Sequence, residues 1–242
     1  LAEMSGDAWD VSEAGNRSVM AWVKPNGELY DLYIGAEGGM RTGKSCREMF
    51  MEYAHAQRIS FGDVLHTEDA EEMRCMFRGC ASLTELDLSG FDTSGVQDMS
   101  RMFSNCTSLT ELDLNSFDTS GVEDMRGMFN GCASLTELDL SSFDTSGVQD
   151  MGWMFRNCTA LTKLDLSSFD TSGVQDMSRM FSNCTSLTEL DLSSFDTSGV
   201  QYMNWMFRNC TSLTELDLSS FDTSGVQNMI GMFNGCPAGS KW

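Results

Sequence analysis

Two columns of side chains recur every 26 residues and raise the first chemical question. Asp87, Asp113, Asp139, Asp165, Asp191 and Asp217 occupy one column, and Glu85, Glu111, Glu137, Lys163, Glu189 and Glu215 run beside it. Carboxylates about 5 Å apart repel by roughly 1 kcal/mol in water. Three readings follow: a solvated acidic face, a calcium-bridged ladder built from the oxygen ligands calcium prefers, or a seat for a basic partner. Lys163 interrupts the Glu column and can pair with Glu137 or Glu189.

A second set of residues stands out because the rest of the repeat barely varies. Three positions per unit read Ser100, Arg101, Ser104; Arg126, Gly127, Asn130; Gly152, Trp153, Arg156; Ser178, Arg179, Ser182; Asn204, Trp205, Arg208; and Ile230, Gly231, Asn234. Trp and Arg are the types enriched at binding hot spots. Arg101, Arg126, Trp153, Arg156, Arg179, Trp205 and Arg208 are therefore the candidate partner-binding residues. Trp153 with Arg156, and Trp205 with Arg208, sit three apart on what a helical reading makes one face. The competing reading is a Trp lying over its own coil with Arg stacked upon it.

Catalysis has little to work with. The histidines are His55 and His66, and the spacing of His66 with Cys75 and Cys80 matches no standard zinc pattern. No phosphate-binding or nucleophile-elbow motif occurs. The expectation is a protein that is not an enzyme. A formal charge of −21, with 15 basic against 36 acidic residues, excludes nucleic acid as an expected partner. No apolar run reaches the length of a membrane span.

Seven of the nine cysteines, Cys80, Cys106, Cys132, Cys158, Cys184, Cys210 and Cys236, also recur every 26 residues. Side chains at one repeat position point the same way along a stack, whereas the Cβ atoms of a disulfide must converge. Free, buried thiols acting as small apolar residues are the expectation.

The elements that position these residues follow from the repeat itself. One unit, FDTSGVQDMSRMFSNCTSLTELDLNS, begins at Phe91 and returns with small changes at Phe117, Phe143, Phe169, Phe195 and Phe221. A degenerate copy spans 65–90, and Met49, Phe50, Tyr53, Ile59 and Phe61 suggest another with one extra residue of spacing. LTELDL alternates apolar and polar residues, the pattern of a half-buried strand. Val96, Met99, Met102, Phe103 and Cys106 fall at intervals of three and four, which predicts a short helix, with Ser94 and Gln97 as its capping box. Only Gly or Asn precedes each repeat cysteine, which predicts a left-handed residue closing that helix. Strand, turn and helix in succession give an α/β right-handed solenoid with a parallel sheet on one face and short helices on the other. Residues 1–45 form an N-terminal cap, with a hairpin around Pro25-Asn26-Gly27 and Trp9 and Trp22 covering the first coil. Residues 46–236 form the solenoid and 237–242 a tail ending in Trp242. The tail offers no polar cap, so the last coil is expected to expose core, and either more chain or a partner is expected there.

The string LxxLDLSxFDTSxVxxMxxMFxxC resembles the repeat of BspA-like leucine-rich-repeat surface proteins, and GELYDLYIGAEGG resembles their lead-in segment. The resemblance covers about residues 28–236. It implies a leucine-rich-repeat solenoid, export to the cell surface, and adhesion to matrix proteins or other cells. It carries no catalytic motif, no cofactor and no site residues. The chain shows neither a lipid-anchoring N-terminal cysteine nor a wall-sorting motif. The functional expectation is an extracellular recognition module for a protein or glycan ligand. The alternative is a structural subunit that stacks with neighbouring subunits into a layer, filament or larger complex.

Overall fold

The structure, a computed structural model, describes residues 9–10, 19–36, 39–61 and 64–237. Among the described residues there are nine strands: β1 (Trp9–Asp10), β2 (Val19–Asn26), β3 (Leu29–Ala36), β4 (Met40–Arg41), β5 (Ala56–Ser60), β6 (Leu65–His66), β7 (Glu85–Leu86), β8 (Lys163–Leu164) and β9 (Glu189–Leu190). One sheet has the order β1-β2-β3-β5-β7, while β4 pairs with β6 and β8 with β9. The β2–β3 hairpin is antiparallel and turns at Gly27, whose φ of 66° suits a residue without a Cβ. Every later pairing is parallel, as expected when successive strands belong to successive coils. The side chains of Trp9 and Trp22 lie outside the described set, as does Trp242.

The predicted helices are not there: among the described residues no helix occurs. Backbone hydrogen bonds explain what replaces them. Met99, Arg101, Phe103 and Asn105 donate not within their own segment but to the carbonyls of Asp124, Arg126, Met128 and Asn130, one coil on. The intervening Met102, Ser104 and Cys106 donate three residues back, to Met99, Arg101 and Phe103. Alternate N–H groups thus tie the coils together while the others close tandem turns, so each donor is satisfied without a helix. Two left-handed residues per coil make this possible, for example Arg101 (φ 55°) and Asn105 (φ 62°). The Gly/Asn position before each cysteine is left-handed as expected, but it ends a turn rather than a helix. Ser94 is no capping box either; its N–H and hydroxyl both reach Asp92 Oδ1, at 3.0 and 2.7 Å.

Stacking fills the interior. Phe77, Phe103, Phe129, Phe155, Phe181, Phe207 and Phe233 form a column with ring centroids 5.5–5.9 Å apart and near-parallel planes. Met99, Met102, Leu109, Leu114 and their counterparts in neighbouring coils are buried around it. Phe50 continues the column with the extra residue of spacing absorbed, its ring 5.5 Å from Phe77. The cysteines are unbridged, and each repeat thiol donates to a phenylalanine carbonyl of the coil before, as Cys132 does to Phe103 at 3.2 Å. A buried threonine column adds a polar seam. Thr119 Oγ1 donates to the carbonyl of Asp144 at 2.8 Å and accepts its N–H at 2.9 Å. In the last described coil Met229 and Ile230 stand exposed.

Candidate functional site

The turn segments that replace the helices carry the variable positions, and their geometry gathers four arginines and two tryptophans into one ridge. Trp153 lies in the left-handed region (φ 65°), and Arg179 and Trp205 occupy the same repeat position with φ of 56° and 58°. Holding non-glycine residues there costs of order 1–2 kcal/mol each, and it aligns three large side chains in successive coils. Gly127 and Gly231 take the same position in other coils. A Cβ on Gly231 would come within 2.5 Å of Trp205 Cδ1, so that glycine makes room for the indole.

The guanidinium of Arg126 lies 5.2 Å from the Trp153 ring centre, Arg156 5.3 Å and Arg179 5.1 Å. Arg179 also lies 4.1 Å from the centre of the Trp205 ring. Arg126, Trp153, Arg179 and Trp205 thus bridge successive coils, with Arg156 closing onto Trp153 from the same turn, where its N–H bonds the Trp153 carbonyl at 3.0 Å. Such contacts contribute about 0.5–2 kcal/mol each. The structure therefore brings Arg126, Trp153, Arg156, Arg179 and Trp205 together. Arg208 stands exposed beside Trp205 with its N–H on the Trp205 carbonyl, and Arg101 lies one coil earlier, over Gly127. The expected helical face is corrected: these residues meet across coils and within turns.

The ridge has few close ion pairs. Arg41, Lys44, Arg47, Arg58 and Lys163 all pair with carboxylates. In contrast, Arg101, Arg156, Arg179 and Arg208 form no ion pair among the described residues, and Arg126 reaches only to 3.9 Å from Asp150 Oδ2. The Nε atoms of Arg126 and Arg156 are buried without an acceptor. Burial pulls the Arg179 guanidinium below its ordinary pKa, and the charges of Arg156, Arg208 and Arg126 add to the effect.

Beside the ridge runs a carboxylate column that the sequence reading missed. Asp98, Asp124, Asp150 and Asp176 are bridged in parallel, coil to coil, and each Oδ1 accepts a backbone N–H two residues on. Desolvation raises the Asp124 carboxyl and pushes Asp150 up to about 6, with the charges of Asp176 and Asp124 contributing to the latter. The signal was present in the repeated Asp before each Met, but it sits among residues assigned to a helix, where every fourth position lies on one face.

The other acidic column stays on the exposed strand side. Asp87, Asp113, Asp139, Asp165, Asp191 and Asp217 each accept a backbone N–H two residues on through Oδ1, at 2.8–3.0 Å. Those bonds depress the carboxyls of Asp139, Asp165, Asp191 and Asp217, and the Ser89 hydroxyl does most for Asp87. Among the described residues no three His, Cys, Asp or Glu side chains converge as a metal-binding group. Lys163 pairs with Glu189 at 3.0 Å, in the register of β8 on β9. Glu111, Asp113, Glu137 and Asp139 line an open groove of about 610 Å³ between successive coils, and a second of about 290 Å³ follows at Lys163 and Asp165.

Comparison with known proteins places this architecture. The chain matches the family described as "Mycoplasma protein of unknown function, DUF285" over residues 44–162 and again over 132–241. It belongs to that family. The two matches overlap by about one 26-residue repeat of this DUF285 chain. No curated protein and no solved structure matches this DUF285 chain. Among its described residues no helix is long and apolar enough to cross a membrane.

Proposed function

We propose that this DUF285 chain is a recognition module of the BspA-like type: a right-handed leucine-rich-repeat solenoid, outside the cell or on its surface, that binds a protein or glycan partner and catalyses no reaction. The observation that carries the reading is the Arg–Trp ridge. In a chain with 36 acidic residues, its guanidiniums stack on indoles, and only Arg126 among them reaches a carboxylate, Asp150 at 3.9 Å. Pre-aligned Arg edges on a rigid, laterally hydrogen-bonded support cost little ordering on binding. A cluster of arginines on an otherwise acidic protein also draws a complementary partner to one face.

The test is a binding screen against immobilised matrix proteins and glycans, comparing the parent with Trp153→Gly and Trp205→Gly. Glycine is the residue that Gly127 and Gly231 already place at this repeat position with φ of 63° and 65°, so the variants keep the backbone while losing the indoles. Loss of capture by folded variants supports the ridge. Undiminished capture by both would move the binding surface elsewhere.

A further inference from the structure

We propose that the acidic strand-side groove is the seat for the Arg–Trp ridge of a second copy of this chain. The inference rests on reading the ridge as an interaction surface, and adds its occupant and a second surface. Among the described residues, Arg156, Arg179 and Arg208 on one side and Glu111, Asp113, Glu137 and Asp139 on the other form no ion pair within their own chain. The ridge offers the guanidinium edges of Arg156, Arg179 and Arg208, with three arginines at the Trp153 ring and Arg179 at the Trp205 ring. Carboxylates are the groups such guanidinium edges bind most strongly. The groove offers Glu111, Asp113, Glu137 and Asp139, all exposed.

The two surfaces also share one period. Both are generated by the same stack, whose coils repeat at the 5.5–5.9 Å spacing of the phenylalanine column. A ridge laid along a groove therefore meets a fresh carboxylate at every step. Lys163 at one end and the Arg58–Glu85 pair at the other set the limits: an arginine placed against either cation meets like charge, which directs the ridge to the Glu111–Asp139 stretch. The ridge spans residues 126–208 and that stretch lies nearer the N-terminus, so successive copies are staggered. A contact between two different surfaces of identical copies leaves each copy with one free half, so it adds further copies until the array closes into a ring or extends into a row. The net charge of −21 opposes association at long range. At physiological salt, however, charges more than about 8 Å apart are largely screened, whereas touching pairs are screened far less.

The test is sedimentation velocity of the full chain across a concentration series at physiological salt. Two charge-reversed variants accompany the parent: a ridge variant, Arg156→Glu/Arg179→Glu, and a groove variant, Glu111→Lys/Glu137→Lys. The parent is expected to grow in size with concentration, and to lose that growth near 1 M salt, where the Debye length is about 3 Å. Each variant alone is expected to stay monomeric. Their equimolar mixture regains association, because the reversed ridge fits the reversed groove. A misfolded variant could not give that rescue, and thermal unfolding of each establishes that both are folded. A parent monomeric throughout, a variant that still assembles, or a mixture of folded variants that fails to associate overturns the proposal. The groove variant keeps its ridge intact. A monomeric parent that still captures a ligand through Trp153 and Trp205 would therefore sink this inference alone, leaving the recognition reading standing.

Discussion

Replacing Asp150 by Asn is expected to stabilise the protein above about pH 6, because this carboxylate is held where its charge is unwelcome. Its carboxyl is pushed to about 6 from an ordinary 3.8, first by burial, then by the neighbouring charges of Asp176 and Asp124. The side chain is only 27% exposed, and Arg126 at 3.9 Å is its one counter-charge. In the unfolded chain Asp150 ionises near its ordinary value, while the folded chain keeps the proton until about pH 6. Stability therefore falls as pH rises through that window, and the loss is complete above it. A shift of about 2 units at about 1.4 kcal/mol each sets a ceiling near 3 kcal/mol. Asn forgoes the attraction to Arg126, so a net gain of about 1–3 kcal/mol is expected at neutral pH. Its amide oxygen can still accept the Gly152 N–H that Asp150 accepts at 2.8 Å. Asn228 already occupies the equivalent position in the last coil and accepts the Ile230 N–H at 3.1 Å. The assay is urea unfolding of parent and variant from about pH 4 to pH 8, following the difference between them so that other titrating groups cancel. A difference that does not grow between pH 4 and 6, or a variant less stable than the parent at neutral pH, would refute the argument.

Three further substitutions or treatments probe the stack. Thr119→Val removes a hydroxyl that both donates to and accepts from the Asp144 backbone; leaving two groups unsatisfied is expected to cost about 2–4 kcal/mol by denaturant unfolding. Phe129→Ala opens a hole between rings centred 5.9 and 5.8 Å away, and is expected to cost about 3–5 kcal/mol in the same measurement. Burial pushes the Cys132 and Cys184 thiols up to about 12. In native protein at mildly alkaline pH a thiol reagent counted by mass spectrometry is therefore expected to modify only the partly exposed Cys236, and all nine cysteines after unfolding.

The repeat phase, its buried columns and the free thiols were legible because each is a matter of position within a 26-residue unit. The hairpin was legible in Pro25-Asn26-Gly27. The helix was misread because Val96, Met99, Met102, Phe103 and Cys106 present the same three-and-four spacing to a core from tandem turns as from a helix. Glycines held the correcting clue: Gly127 with Gly131, and Gly231 with Gly235, mark two left-handed positions four apart, which no helix accommodates. The arginine and tryptophan positions stood out in the sequence as the variable ones, but their assembly across coils depends on those left-handed residues, and the Asp98–Asp176 column disappeared into the same misassigned segment. The strand side is less continuous than the alternation suggests: LTELDL yields two-residue strands in some coils and none in others. The regular lateral pairing runs instead through the turns.

Those lateral bonds run along the stack, so they also decide how the molecule answers a pull on its two ends. Tension along the stack loads the terminal coil first, and that coil is joined to a single neighbour. It can peel away while the remaining coils keep their bonds. Each released unit of 26 residues lengthens the chain by roughly 85–95 Å, at about 3.3–3.6 Å per extended residue. Stretched between two attachment points, such an array would give way in equal steps and limit the peak force on either attachment.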